Sequence, residues 1–398
     1  MELPRHVDEQ GWVERLNRLT IETPSWGYAD TGTRFGKFFQ EAAATTTAEK
    51  LADAAKVHAL TGCCPGVAVH TLWDFAEGSN AAGVARQAEA LGVRIGAINP
   101  NVFQDQCYKF GSLGNRDATI RQRALQHILD SIAIGRQVGS DTLSLWFADG
   151  TNYPGQANIR QRKRWFQEAL AEVHAALPDG MRMLIEYKPF EPAAYHTDIA
   201  DWGMAAAFAR HAGPQAHVLV DLGHHLPGAN IEHIVAFLID EGLLGGFHFN
   251  DRKYADDDLT AGSIDPYQLF RVFHEIVQAE VLQGRDLDIA YMIDQSHNLK
   301  PKIEAMIETV VAVQAHFAKA LLVDHAALAE AQAKDDLVVA ERILKDAYQT
   351  DVRPLLAEWR ERRGLPRDPL LALRESGYVE EAARVRGPAK RNQATQYA

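Results

Sequence analysis

The sequence predicts an α/β protein, a (β/α)8 TIM barrel with a C-terminal helical arm. Three observations carry that expectation. Short apolar runs alternate with longer amphipathic ones between residues 61 and 300, which implies βαβ units and a parallel sheet. The polar residues that interrupt the apolar runs fall at the carboxyl ends of many of them, whereas an open doubly wound sheet gathers its site at one switch point. No glycine-rich dinucleotide loop follows the first run.

In chain order, residues 1–60 read as a helical and turn-rich lead, ending in a helix over 46–60 with a threonine N-cap. Strands are predicted at 66–70 (GVAVH), 94–99 (RIGAIN), 142–147 (TLSLWF), 183–187 (MLIEY), 217–222 (HVLVDL), 246–250 (GFHFN) and 288–293 (DIAYMI). Helical patterns separate them at 80–91, 117–138, 160–176, 201–211, 231–241 and 266–278. Closure needs an eighth strand, either 33–39 (TRFGKFF) or a shorter one. After Asn298 the strands stop, and helical patterns at 303–322 and 324–348 open an arm over 301–385. Residues 386–398 are polar and expected to be a disordered tail. A long arm outside a closed barrel commonly packs on another subunit, so a homo-oligomer is expected; the alternative is a helix pair lying on its own barrel.

Composition narrows the function. Apolar residues make up 46% and charged residues 24%, ordinary for a globular protein. A net charge of -12 argues against nucleic acid, which needs a basic face, and suits a protein that holds cations. No run of ~18 apolar residues offers a membrane span, so no membrane partner is expected. MELPRHVDEQGWVERLNR has no apolar signal core, and the odd count of Cys63, Cys64 and Cys107 speaks against a disulfide framework; the expected location is cytoplasmic.

The chemistry sits at the strand ends. His70 ends one run and Trp73 follows; Trp146 sits in another; Glu186 and Lys188 share one face of a third. Asp221 ends the next, with His224 just past it, then comes His248 with Asp256 and Asp258 in the loop beyond, and finally Asp294. A charge inside an apolar strand is costly unless paired or bound to a cation. Glu186, Asp221, His248 and Asp294, from four successive strands, would converge near the barrel axis. Three carboxylates and an imidazole suit Mn²⁺, Mg²⁺, Co²⁺ or Zn²⁺. A second set, Asp221 with His224, Asp256 and Asp258, would hold a second ion. Each residue alone has a plainer explanation: a strand-end Asp as a helix cap, His248 as a core histidine, Asp256 and Asp258 as a solvated loop, the tryptophans as barrel packing. Their occurrence together at one end of successive strands is what points to metal.

These segments, HVLVDLGHH, LGGFHFNDRKYADDDL, YMIDQSHN and IEYKPFEPAAYHTDIADWG, resemble the L-rhamnose isomerases of the Pseudomonas stutzeri type, xylose-isomerase-like barrels with broad aldose–ketose specificity. The resemblance runs from about Gly27 into the arm. It implies one metal on Glu186, Asp221, His248 and Asp294 and a catalytic one on Asp221, His224, Asp256 and Asp258. It implies two divalent ions per subunit, Mn²⁺ foremost, and a homotetramer. It places His70, Trp73, Trp146 and Lys188 against the sugar, with a phenylalanine of a neighbouring subunit, here Phe35, closing the site. One departure lies at IEYKPFEP, where relatives carry EHKMYEP; Glu186 and Lys188 stay while their neighbours change.

The expected activity is isomerisation of L-rhamnose to L-rhamnulose and of related aldoses. Two cations would polarise the sugar oxygens, Lys188 would donate to O1, and hydrogen would move between C1 and C2 as hydride, with Lys188 and Asp294 as the catalytic residues. The rival route is an enediol with a carboxylate or histidine base. Rival functions are a ketose 3-epimerase with one metal and two opposed glutamates, a metal-dependent phosphodiesterase, and a sugar-binding protein without catalysis.

Overall fold

Eight parallel strands close into a barrel in sequence order: β1 (Glu22–Pro24), β2 (Gly66–His70), β3 (Arg94–Asn99), β4 (Thr142–Leu145), β5 (Arg182–Glu186), β6 (Ala216–Asp221), β7 (Leu244–Phe249) and β8 (Ala290–Ile293). This computed structural model describes residues 3–33, 36–75, 80–191, 195–253, 255–296 and 299–391. The barrel and helical arm agree with the sequence; the eighth strand does not lie at 33–39. Gly32–Thr33 and Gly36–Lys37 form a separate antiparallel pair. The closing strand is β1, joined to β2 through Glu22, Thr23 and Pro24 and to β8 through Glu22 opposite Met292. Three residues ending in proline have no periodicity to detect, and so the barrel begins within the stretch expected only to lead into it.

The ring of helices is α1 (Thr47–Thr61), α2 (Ala81–Ala90), α3 (Ala118–Val138), α4 (Ile159–Ala175), α5 (Trp202–Ala212), α6 (Ile231–Asp240), α7 (Pro266–Gln283) and α8 (Lys302–Ala320). Their starts are written in the sequence. Thr46 and Glu49 form a capping box on α1. Asn80, Asp117, Asn158, Asp201, Asn230 and Asp265 each accept a backbone N–H at the first turns of α2 to α7. Inside the barrel, Ala68, Ala97, Leu184, Leu219 and Met292 fill the axis.

The arm begins later than residue 301, because α8 packs between α7 and α1 and completes the ring. Five helices follow: α9 (His325–Ala333), α10 (Leu337–Gln349), α11 (Arg353–Arg362), α12 (Pro369–Glu375) and α13 (Tyr378–Arg391). The single pattern over 324–348 breaks because Asp335 turns left-handed at φ 56° and Asp336 caps a new helix. The chain then folds back over its own barrel, with α12 against α8 and α1. Residues 386–391, expected in a disordered tail, are helical. Arg386 reaches back to Asp53 of α1 with Nη1···Oδ2 2.8 Å and Nη2···Oδ1 2.9 Å, a bidentate pair that polar composition could not announce. Among the described residues no single helix is long and apolar enough to cross a membrane.

Candidate metal centre

β5 and β6 end in Glu186 and Asp221, His248 is the penultimate residue of β7, and Asp294 follows β8. Register sets Leu219 beside Glu186, Asp221 beside His248, and His248 beside Met292. Alternation along each strand then turns all four ligand-type residues to the barrel interior. One donor atom from each of Glu186, Asp221, His248 and Asp294 lies within 4.8 Å of the others. His248 Nδ1 is 3.1 Å from Glu186 Oε1, 3.8 Å from Asp221 Oδ2 and 3.9 Å from Asp294 Oδ2.

A second set shares Asp221. Donor atoms of Asp221, His224 and Asp256 also gather within 4.8 Å. His224 Nε2 is 3.5 Å from Asp256 Oδ1, and Lys188 Nζ donates to Asp256 Oδ2 at 2.7 Å. Asp258, expected in this set, lines the same cavity but stands apart from the three. Its backbone is left-handed at φ 46°, and its carboxylate accepts from Ser296 Oγ at 2.5 Å.

Electrostatics shows a surplus of acid. Burial lifts the Asp221 carboxyl to about 7, with Glu186 and Asp256 adding to the rise. Burial, then Asp256 and Asp294, push Asp258 well above the usual range, and burial also raises Asp294. Burial would raise Glu186 as well, but His248 and His224 hold it at about 2. His224 and Lys188 overcome burial to keep Asp256 below its usual range. The same contacts lift His248 to about 9 through Glu186, and His224 well above its ordinary value through Asp221 and Asp256, in each case against burial. Five carboxyls thus face two imidazoles and one ammonium, and Asp256 Oδ1 is buried without a hydrogen bond. That donor set fits divalent cations. Asp221 is held in place by Gly223 N at 2.7 Å and Asn250 Nδ2 at 3.0 Å. Gly223 leaves these side chains room: a Cβ there would lie 2.9 Å from Asn250 Oδ1, 3.2 Å from Asp221 Oδ1 and 3.3 Å from Asp256 Oδ1.

The ligand cluster forms one wall of a cavity of about 490 Å³. The facing wall is aromatic. His70 and Trp73 lie 3.9 Å apart by ring centroid, Phe103 and Trp146 5.0 Å, and Lys188 Nζ sits 5.3 Å from the Trp146 ring. Burial holds His70 down to about 3, so its imidazole is neutral. The structure therefore brings His70, Trp73, Trp146 and Lys188 to the cavity that holds both donor sets. It adds two rings that sequence reasoning missed. Trp26 lies 4.7 Å from His70 and donates Nε1 to Asp294 Oδ1 at 2.8 Å. It follows β1, and with that strand unread its place at a strand end was invisible. Phe103 lies in the loop after β3, where an aromatic just past a strand end, as at Trp73, was the available signal. Phe35 lies outside the described residues.

The profile of the xylose isomerase-like TIM barrels matches residues 64–286. A Rhizobium meliloti protein named probable sugar isomerase is 43% identical over 384 residues, spanning 95% of this chain and 89% of that one. The xylose isomerase of Thermus thermophilus is 28% identical over 186 residues, 44% of this chain and 47% of that enzyme. Among solved structures, L-ribulose 3-epimerase superposes with a TM-score of 0.52 at 13% identity, covering 80% of this chain and 98% of that one, which is a likeness of fold.

Proposed function

The chain belongs to the xylose isomerase-like TIM barrel family, and from that premise we propose that it is a metal-dependent aldose–ketose isomerase acting on L-rhamnose and related aldoses. The observation that carries the proposal is the pair of donor sets sharing Asp221 in a cavity that also holds Lys188. Glu186, Asp221, His248 and Asp294 would hold one cation, and Asp221, His224 and Asp256, with Asp258 near, the other; Mn²⁺ is the proposed metal. When bound, the ions supply Lewis-acid polarisation of sugar oxygens and stabilise developing alkoxide charge.

The protein's own groups do the rest. Lys188, oriented by Asp256, donates to O1 of the open-chain sugar. As O1 gains that proton, O2 gives its own to the Asp256 carboxylate, which returns it to Lys188, and hydrogen leaves C2 with its electron pair and bonds to C1, which turns aldose into ketose. Trp26 keeps Asp294 from swinging out of the cluster, and the aromatic wall limits water around the reacting carbons. A 3-epimerase of the kind weighed above would use one ion and two opposed glutamates. Here Asp294 stands where the second glutamate would be, and the His224–Asp256 set would have no role.

The test is metal-stripped protein reconstituted with Mn²⁺ and given L-rhamnose, with ketose followed over time. Metal-dependent L-rhamnulose is the expected product, with little solvent deuterium at carbon in D₂O. No ketose from any aldose, with or without metal, overturns the proposal, and full carbon labelling replaces the hydride shift with an enediol. We also propose a homotetramer, consistent with Leu337 and Val338 of α10 at 71% and 70% exposure; a monomeric mass by light scattering would refute it.

A further inference from the structure

We infer that Ser144 is a specificity-determining residue whose hydroxyl takes one hydroxyl of the bound sugar that the cation ligands do not hold; this rests on the sugar-isomerase proposal above. Ser144 lies in β4, two residues before Trp146, so both side chains leave the same face of the chain. Its register partner in β5 is Leu184, one of the apolar residues on the barrel axis, and Glu186 stands two residues further along that strand. Ser144 therefore belongs to the layer beneath the ligand ring.

It also lines the cavity, which reaches down to it because the neighbouring axial positions on β2 and β3 carry only Ala68 and Ala97. Ser144 is 1% exposed, yet its Oγ has no hydrogen-bond partner. A buried hydroxyl left unpaired is costly, and alanine or valine would occupy the same place without that cost. Its neighbour offers no relief. Ile98 stands beside Leu143, which sets Asn99 beside Ser144, yet Asn99 gives an amide N–H to Val69 O at 3.1 Å and makes no bond to Ser144 Oγ.

The chemistry that satisfies a lone hydroxyl at the floor of such a cavity is another hydroxyl, which both donates and accepts. A site that pairs with a substrate hydroxyl rejects the analogue lacking it far more strongly than an apolar wall would. Ser144 is placed to make that distinction among sugars, independently of the cation cluster.

The experiment compares Ser144→Ala and Ser144→Cys with the unaltered protein, all loaded with Mn²⁺. The readouts are kcat/KM on L-rhamnose, L-mannose, L-lyxose and D-allose, calorimetric binding of the non-reacting polyol xylitol, Mn²⁺ affinity, and Tm. Expected is a loss of about 10-fold or more in kcat/KM, mainly in KM, for sugars that present the hydroxyl, with at least one of the four left within about twofold. Mn²⁺ affinity stays unchanged, Tm does not fall, and the cysteine variant, near in volume but a weak donor, behaves like alanine. An equal loss on all four sugars, or none, overturns the inference. If the unaltered protein converts no aldose, the isomerase proposal falls on its own, and xylitol decides Ser144: binding weakened in both variants upholds its role, and binding unweakened or absent ends it.

Discussion

Asp221 has no exposed surface, belongs to both donor sets, and is fixed by Gly223 and Asn250. Asp221→Asn removes a charge from both sets at once, and a loss of ~100-fold or more in kcat/KM is expected, with weakened binding of two ions rather than one. Titration that still shows two unweakened sites would refute the shared role. Gly223→Ala is the subtler change: its Cβ would push on Asp221, Asn250 and Asp256, so Mn²⁺ affinity should fall roughly 10- to 100-fold although no ligand is altered. Unchanged affinity in a calorimetric titration would contradict it. Protons report on the same cluster. Without metal, His248 (about 9) and His224 (raised) hold protons at pH 7, and Asp221 (about 7) is half protonated. Cations need these groups deprotonated, so loading at pH 7 should release protons and affinity should rise with pH. An indicator dye in weakly buffered solution reads this directly; no release would sink it. That Glu186, Asp221, His248 and Asp294 gather at one end of the barrel was legible in the sequence because a charge inside an apolar strand stands out. Trp26 was not, because an aromatic residue signals only through the strand it follows, and β1 is too short to announce itself.

At the scale of elements, the helices of the barrel were readable from their caps and periodicity, and the last turns of α13, from residue 386, were not. Their sequence is polar, and what orders them is a contact 333 residues away, where Arg386 grips the buried Asp53 while Tyr378 donates to the same carboxylate at 2.8 Å. No local pattern encodes a partner at that distance. Arg386→Met strands Asp53 without its counter-charge, and a loss of about 3 kcal/mol in unfolding free energy is expected. Adding Asp53→Asn should return much of that loss. Urea midpoints for the two variants decide it, and an Arg386→Met protein as stable as the parent would show that the clasp contributes nothing.

For the whole molecule, the join between ring and arm should be sensitive to acid. His274 of α7 and His325 of α9 stack at 5.4 Å with planes 6° apart. Burial, then His325, lowers His274 to about 4, and burial and Arg15 lower His325. A histidine depressed in the folded state binds more protons when unfolded, so its stabilisation is complete above the ordinary value near 6.5 and is lost as pH falls toward 4. Denaturation midpoints should drop across that window, and less steeply in His274→Gln; equal slopes would exclude the pair as the cause. The barrel itself closes through one short strand, with Glu22 opposite Met292 joining β1 to β8 and Trp26 bridging to Asp294 just above. A ring held shut at one narrow seam opens there first. Since Asp294 is both the seam's upper latch and a candidate ligand, loading the ion should lock the circle mechanically: amide exchange at 22–23 and 290–293 should slow far more on metal addition than at β5 and β6, so that the ion which readies the site also rivets the cylinder.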